Sequence, residues 1–195
     1  MRKNLLLTVV AFFLLYSGIA QESNLWPNKK GYYFGVQAGF LDFTTPQLIS
    51  KQSFVYASEN WTKLSDQSFY FGLIMTRGLT DHFDLNVDYL LASVAYPYRH
   101  TGLTAAEKSL LQELFISVNA RLLPDNFIVV PYATLGIGGS AYKGGKFDAL
   151  MPVGAGLQFR LTGKTFIKAD YQYVMPVTER ANYHFRTGLS LITDL

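Results

Sequence analysis

The chain has 195 residues, enough for one domain with a full-sized core, and 17 basic against 14 acidic residues give it a net charge of +3. It contains no cysteine, which excludes disulfides and thiolate metal sites. Two of the basic residues, Arg2 and Lys3, lie in the first twenty residues, where there is no acidic residue. The rest of the chain therefore carries 15 basic against 14 acidic residues, a balance that gives no case for a nucleic-acid partner.

The first twenty residues predict a cleaved secretory signal. The basic start is followed by an apolar stretch to about Tyr16, and Gly18-Ile19-Ala20 supplies a small-x-small cleavage pattern. This apolar stretch is short for a membrane-spanning helix, which needs about 20 residues. We predict a signal peptide over residues 1–20 and a single domain over 21–195. The later apolar runs are also shorter than a spanning helix, so membrane insertion would have to use strands.

Eight β-strands are predicted in the rest of the chain, each roughly 10 to 16 residues long. Strands in soluble proteins are typically about 5–6 residues long, whereas a tilted strand that crosses a bilayer needs about 9–11. Strand length therefore favours a membrane barrel. The predicted strands are approximately Tyr32–Phe43, Ser68–Leu79, Phe83–Tyr96, Leu110–Leu123, Phe127–Tyr142, Ala149–Leu161, Thr165–Val177 and Tyr183–Ile192.

The connections between these strands are of two kinds. Three tight turns share a repeat in which a Phe follows an Arg by six residues: Arg77 to Phe83, Arg121 to Phe127 and Arg160 to Phe166. They alternate with mostly longer connections at Thr44–Gln67, about Pro97–Ser109, Lys143–Asp148 and Thr178–Asn182. In the second of these, Thr104-Ala105-Ala106-Glu107 is a capping-box pattern, which predicts a helical turn reaching toward Gln112.

Along most of the predicted strands apolar and polar residues alternate, so one face of such a strand is apolar and the other is polar. A soluble barrel has its apolar faces inside, whereas a membrane barrel has them outside. Seven strands alternate apolar and polar residues, the fifth weakly, whereas the second is apolar on both faces, so its pattern does not show which face points inward. Glycine is frequent on the polar faces, although it weakens a strand. Small residues are expected there if the polar faces line a narrow lumen, because long charged side chains fit only beside small neighbours. Opposite charges can pair there, which matters because an unpaired buried charge is costly. We therefore predict apolar residues outside and a lumen ionic network of Asp84, Asp88, Glu113, Arg121, Arg160, Lys168, Asp170 and Arg186.

The residues after the signal resemble the small OmpA/OmpX-type outer-membrane barrels. The resemblance is carried by Pro131–Gly138, by Val153–Leu161 and by Ala169–Tyr173 after the following turn. It implies an all-β fold with eight antiparallel strands in up-and-down order, short inner turns, long outer loops and an outer-membrane location. Two features differ from the family. The chain ends Thr193-Asp194-Leu195 where such barrels often end in an aromatic residue, and no peptidoglycan-binding domain is expected.

Three other functions are alternatives to a structural or interaction role, and each meets a physical objection. A pore is disfavoured because the interior of eight strands is just wide enough for side chains to fill. Some similar barrels modify lipid A with His and Ser at the outer rim, but His184 and Ser190 are about 20 Å apart along one strand. A soluble lipocalin-like barrel would need the opposite facing and would bury eight charges in a ligand cup. We predict no enzyme, no cofactor and no metal site, since the three histidines are scattered.

The long outer loops are the predicted interaction surface. The first contains Phe54, Tyr56 and Trp61 among polar residues, and loops on a rigid scaffold commonly carry binding function. Packing of these aromatic residues on the barrel rim is an equal alternative. The predicted partners are outer-membrane lipid and, through the loops, another envelope protein.

Overall fold

The computed structural model describes residues 31–51, 62–63, 66–97, 107–142 and 146–194. Eight antiparallel strands form a closed up-and-down barrel in which each strand pairs with its neighbour in sequence and the last pairs with the first. The predicted fold class is confirmed, and the strand ends agree with the prediction to within about three residues. The strands are β1 Tyr32–Asp42, β2 Ser68–Gly78, β3 Phe83–Val94, β4 Ser109–Arg121, β5 Val129–Tyr142, β6 Lys146–Arg160, β7 Thr165–Pro176 and β8 His184–Asp194.

The two ends of the barrel differ in their connections. We call the end with the three short turns, at residues 79–82, 122–128 and 161–164, the turn end, and the opposite end the loop end. The first turn shows why these sequences reverse the chain. The Thr80 hydroxyl accepts hydrogen bonds from the backbone N–H groups of His82 (3.2 Å) and Phe83 (3.0 Å), which closes the hairpin.

The apolar faces of the strands point outward, as predicted. In β4, Leu114 and Ile116 are about half exposed, whereas Glu113 and Phe115 point inward and are fully buried. The structure also orients β2, with Phe69, Phe71 and Leu73 outside and Tyr70, Ile74 and Thr76 inside. The sequence pattern of β2 is ambiguous because two of its lumen residues, Tyr70 and Ile74, are themselves apolar.

Glycine is required in the lumen where Tyr70 crosses it. A Cβ added at Gly39 would overlap the backbone of Thr187, and one added at Gly188 would overlap the Tyr70 hydroxyl. The three residues thus lie in close contact on β1, β2 and β8. A larger residue at either glycine would displace the tyrosine or the neighbouring strand.

A short helix, α1 Thr44–Lys51, follows β1 at the loop end and was not predicted. The Asp42 carboxylate accepts hydrogen bonds from the backbone N–H groups of Thr44 (2.8 Å) and Thr45 (3.0 Å), which satisfies two donors of the first turn. Within the described residues, no α-helix has the length and hydropathy needed to span a bilayer.

The predicted helical turn before Gln112 is wrong for its described part. Ser109 to Gln112 begin β4 and pair with β3, and Leu110 and Leu111 point to opposite faces of the sheet. The pairing with β3 and the burial of Leu111 outweigh the local capping signal. Residues 104–106 lie outside the described residues. Strand β6 begins at Lys146, three residues before the predicted start at Ala149. The reason is that Tyr142, the last residue of β5, pairs with Lys146.

The interior of the barrel has apolar groups at both ends. A small cluster of Tyr33, Ile74, Phe166 and Ile192 lies toward the turn end. A larger cluster, which we call the apolar plug, lies toward the loop end. The plug consists of Leu41, Phe43, Tyr70, Leu90, Ala92, Val94, Tyr96, Leu111, Phe115, Tyr142, Leu150, Val174 and Ala181.

Candidate functional site in the barrel lumen

The middle of the lumen contains a hydrogen-bonded group of charged and amide side chains from β3, β7 and β8. The Arg186 guanidinium donates to Asp88 Oδ2 at 3.1 Å and to the Gln172 amide oxygen at 2.8 Å. The Gln172 amide in turn donates to Asp170 Oδ1 at 3.1 Å. We call Asp88, Asp170, Gln172 and Arg186 the mid-lumen network. It links three strands across the barrel, and the Arg186 guanidinium also lies 5.0 Å from the Phe115 ring centre.

Lys168 of β7 is buried among neutral hydrogen-bond acceptors. Its ammonium group donates to Asn86 Oδ1 at 2.8 Å and to the Thr76 hydroxyl at 3.2 Å, and Thr76 itself donates to Asn86 at 2.7 Å. The ammonium also lies 5.9 Å from the centre of the Tyr132 ring. Short polar residues on β2 and β3 thus solvate this cation, and the sequence pattern alone did not single them out.

A second ionic group closes the turn end. Arg121 forms salt bridges with Asp84 (3.4 Å) and Asp125, and donates to the Thr80 carbonyl at 2.9 Å. Gln158 donates to Asp125 at 2.7 Å. We call Asp84, Arg121, Asp125 and Gln158 the turn-end network. Asp125 was missed because it lies in a turn, although its position four residues after Arg121 was a usable signal.

The three Arg-to-Phe repeats are not equivalent in facing. Arg121 is buried in the lumen, and Arg160 lies at the turn end with its guanidinium 5.2 Å from the Phe166 ring centre. Arg77 points outward instead and lies 4.9 Å from the Tyr32 ring centre. The repeat therefore marks the position of the turns and does not determine which face the arginine occupies.

Glu113 of β4 is paired with His184 beside residues of the apolar plug. Its carboxylate is 3.5 Å from His184 Nε2, and both side chains are 1% exposed. The Phe43 ring packs against the imidazole with ring centres 4.8 Å apart. The structure pairs Arg186 with Asp88, Arg121 with Asp84 and Asp125, and Glu113 with His184, which was interpreted from the sequence as a polar lumen residue.

A small cavity lies in the described part of the lumen. The cavity beside the mid-lumen network has a volume of about 10 Å³, the room that one water molecule needs. Beyond it toward the loops lies the apolar plug. No set of three or more potential metal-ligating His or acidic residues occurs among the residues that the structure describes.

Residues of the loop end fold over the plug. The Tyr96 hydroxyl accepts a hydrogen bond from the Asn182 N–H at 3.0 Å, and the Asn182 amide donates to the Pro97 carbonyl at 3.0 Å. The Tyr142 hydroxyl donates to the Val94 carbonyl at 3.3 Å. The two bonds of Asn182 tie the connections after β3 and β7 to each other, and the Tyr142 bond ties the end of β5 to the end of β3. The predicted contact residues Phe54, Tyr56 and Trp61 lie outside the described residues.

The outer surface carries an aromatic ladder on β7, on β8 and on the residue just before β8, toward the loop end. Tyr171 and Phe185 stack with ring centres 5.1 Å apart, and Tyr173 and Tyr183 stack at 5.7 Å. Aromatic rows at the ends of an apolar band are typical of the interfacial girdles of transmembrane barrels.

Solved structures of small barrels share this architecture. The crystal structure of Neisserial surface protein A matches with a TM-score of 0.55 at 14% identity, over 85% of this chain and 98% of that one. The N-terminal barrel domain of Pseudomonas aeruginosa OprF matches with a TM-score of 0.53 at 14% identity, over 83% and 96% of the two chains. No family model matches the chain, and no curated protein matches it in sequence. The likeness shows the fold, that of the eight-stranded outer-membrane barrels.

Proposed function

We propose that the protein is an integral outer-membrane barrel that acts as a structural, adhesion or accessory component, without catalytic activity. The observation that carries this proposal is the combination of an apolar exterior with a lumen filled by paired charges and closed by the apolar plug. A surface with so many exposed large apolar side chains is stable when lipid covers it. The resemblance to outer-membrane barrels supports the same location.

The filled lumen argues against a constitutive pore. A solute would have to displace the salt bridges of the mid-lumen network and then part the aromatic residues of the plug. Breaking a buried ion pair costs about 3–5 kcal/mol. In this proposal the two networks and the plug join the strands across the barrel and stabilise the fold.

The buried charges also argue against catalysis. Arg186 and Asp88 are at most 5% exposed, and Glu113 and His184 are 1% exposed. A lipid substrate at the outer rim would reach none of them. Binding would instead use the loop end, where Tyr96, Asn182 and α1 give the connections a rigid base. The chain is proposed to reach the membrane after removal of residues 1–20, leaving a single barrel domain over 21–195.

Extraction and conductance together test the proposal. The protein is isolated from the envelope in mild detergent, its native mass is measured, and it is then reconstituted into planar bilayers. We expect that the protein resists carbonate extraction and that heating changes its gel mobility. We also expect that it conducts no current in planar bilayers. A protein released by carbonate would contradict the membrane location, and a steady conductance would contradict the closed lumen. A native mass well above one chain plus micelle would identify an accessory subunit.

A further inference from the structure

The small cavity in the middle of the lumen lies where two groups of buried polar side chains meet. One group is the mid-lumen network, and the other consists of Thr76, Asn86 and Lys168, which we call the lysine group. Members of both groups line the cavity. Its volume of about 10 Å³ is close to the smallest that holds one water molecule. The two groups thus meet at a space of the size of one small polar molecule.

The orientation of the Asn86 side-chain amide is fixed by the lysine group. The amide oxygen accepts hydrogen bonds from the Lys168 ammonium at 2.8 Å and from the Thr76 hydroxyl at 2.7 Å. A rotated amide would place its NH₂ group against the ammonium, which can only donate. The amide nitrogen is therefore the free end. It has no hydrogen-bond partner among the residues that the structure describes, although Asn86 is only 2% exposed.

Asp88 contributes a free acceptor to the same cavity. Its Oδ2 accepts a hydrogen bond from the Arg186 guanidinium at 3.1 Å, whereas its Oδ1 has no partner within the described part of the chain. Asp88 is only 3% exposed. A buried polar atom without a partner is costly, and nearly all such atoms bond to protein or to ordered water. One donor and one acceptor therefore remain at the border of the two groups.

The spacing of Asn86 and Asp88 suits a single bridging molecule. Both point inward from β3 and they are two residues apart. This places them roughly 6.6 Å apart along the strand. Two hydrogen bonds through one water span roughly 5.6 Å. Ser117 of β4 lines the same cavity, and its hydroxyl can supply a third bond, as buried waters commonly have.

We propose that this cavity binds one water molecule, which accepts a hydrogen bond from Asn86 Nδ2 and donates one to Asp88 Oδ1. The water joins the lysine group to the mid-lumen network. Hydrogen bonds then run without interruption from Lys168 on β7, through Asn86 and Asp88 on β3, to Arg186 on β8. The closed lumen is therefore held together by one continuous unit and not by direct salt bridges alone.

A bound ion fits this position less well than water. The molecule must accept from the Asn86 amide and donate to the Asp88 carboxylate, whereas a metal cation cannot accept and a simple anion cannot donate. The charged side chains at the cavity and beside it also balance, since Asp88 and Asp170 are matched by Lys168 and Arg186. An added ion would leave a buried charge without compensation.

A crystal structure of the full barrel, at a resolution that shows ordered water, tests the proposal. One density peak is expected within hydrogen-bond distance of both Asn86 Nδ2 and Asp88 Oδ1. The peak should persist in crystals grown with tetramethylammonium as the only added cation, because that ion is too large for the cavity. Loss of the peak in those crystals would assign it to a metal cation and overturn the proposal. The absence of a peak from both crystals would also overturn it.

Two serine variants provide a matched comparison. Ser117→Val places methyl groups in the cavity, so the peak should disappear and the unfolding midpoint in urea should fall. Ser190→Val is the control, because Ser190 is also a buried lumen serine but is not among the described residues that line the cavity. It should keep the peak. A peak that persists in Ser117→Val would contradict the assignment. Each variant is first scored for folding by gel mobility, and if Ser117→Val does not fold, the two wild-type crystals decide alone.

Discussion

Replacing Arg121 by Met is the most informative single change in the lumen. Arg121 contacts two buried carboxylates, those of Asp84 and Asp125, and the Thr80 carbonyl. Methionine retains much of the side-chain volume but removes the positive charge. The two buried carboxylates then lose the electrostatic attraction of Arg121. Loss of one partner from a buried ion pair costs about 3–5 kcal/mol. Gln158 still donates to Asp125, so we expect a loss near the lower value.

The free energy of unfolding is measured by urea titration of the barrel in lipid vesicles, followed by circular dichroism and gel mobility. Arg77→Met is the matched control, because Arg77 occupies the same position in the repeat but is exposed on the outside. Its loss removes a cation–π contact with Tyr32 and is expected to cost about 0.5–1 kcal/mol. Adding Asp84→Asn to Arg121→Met should recover part of the lost stability, because the Asp84 side chain then carries no charge that Arg121 would have compensated, while Asp125 keeps the hydrogen bond from Gln158 and the nearby charge of Arg160.

Equal unfolding midpoints for Arg121→Met and Arg77→Met would refute the reasoning, since the two arginines would then experience the same environment. Failure of Asp84→Asn to restore any stability would also count against it. That result would assign the effect of Arg121→Met to packing rather than to stranded charge.

Three further predictions concern other parts of the barrel. Gly39→Ala should prevent or greatly slow folding, because the new Cβ overlaps the backbone of a neighbouring strand. Gly139→Ala should fold, because its new Cβ has its nearest contact at 3.3 Å. Gel mobility after refolding shows which of the two variants has folded. Asp42→Ala should cost about 1 kcal/mol through lost capping of α1 and increase cleavage of that segment in limited proteolysis, with an unchanged barrel. Glu113→Leu alone should lower the unfolding midpoint more than Glu113→Leu with His184→Leu, because the double change leaves no buried polar partner; the opposite order in urea titration would show that the pair is not coupled.

The architecture was predictable because strand period and strand length both carry strong signals. Apart from β2, the strands are 11 to 15 residues long; six of them have faces that differ clearly in polarity and β5 differs weakly, so the facing of all seven followed from the identity of every second residue. β2 was the exception. Its inward Tyr70 and Ile74 pack against lumen residues of other strands, and such packing is not visible in a local pattern.

The local errors have one physical origin, since both concern short segments whose structure depends on tertiary contacts. The helix signal near Glu107 gave way to strand pairing that buries Leu111 between neighbouring strands. Helix α1 was missed although Asp42 and Thr45 supply capping groups, because its sequence adjoins a longer polar segment without clear periodicity.

The lumen charges were located by their alternation, but their partners depend on register and on closure of the barrel. Arg186 reaches Asp88 only because β8 and β3 face each other across the lumen, at a separation of 98 residues in the chain. The pairing of Glu113 with His184 depends on the same closure. Spacing along one strand cannot give such contacts, whereas the Arg121 to Asp125 pair was within reach of sequence reasoning.

The central claim, an apolar exterior in contact with lipid, is tested most directly by fluorescence quenching on β4. Because the natural chain has no cysteine, single cysteines at Leu114, Ile116 and Val118 can each carry one probe, with Lys108→Cys as the water-exposed control. In vesicles, brominated acyl chains should quench the three strand probes, and aqueous iodide should quench only the control. Strand probes quenched by iodide and insensitive to brominated lipid would contradict the account and place the apolar face in water.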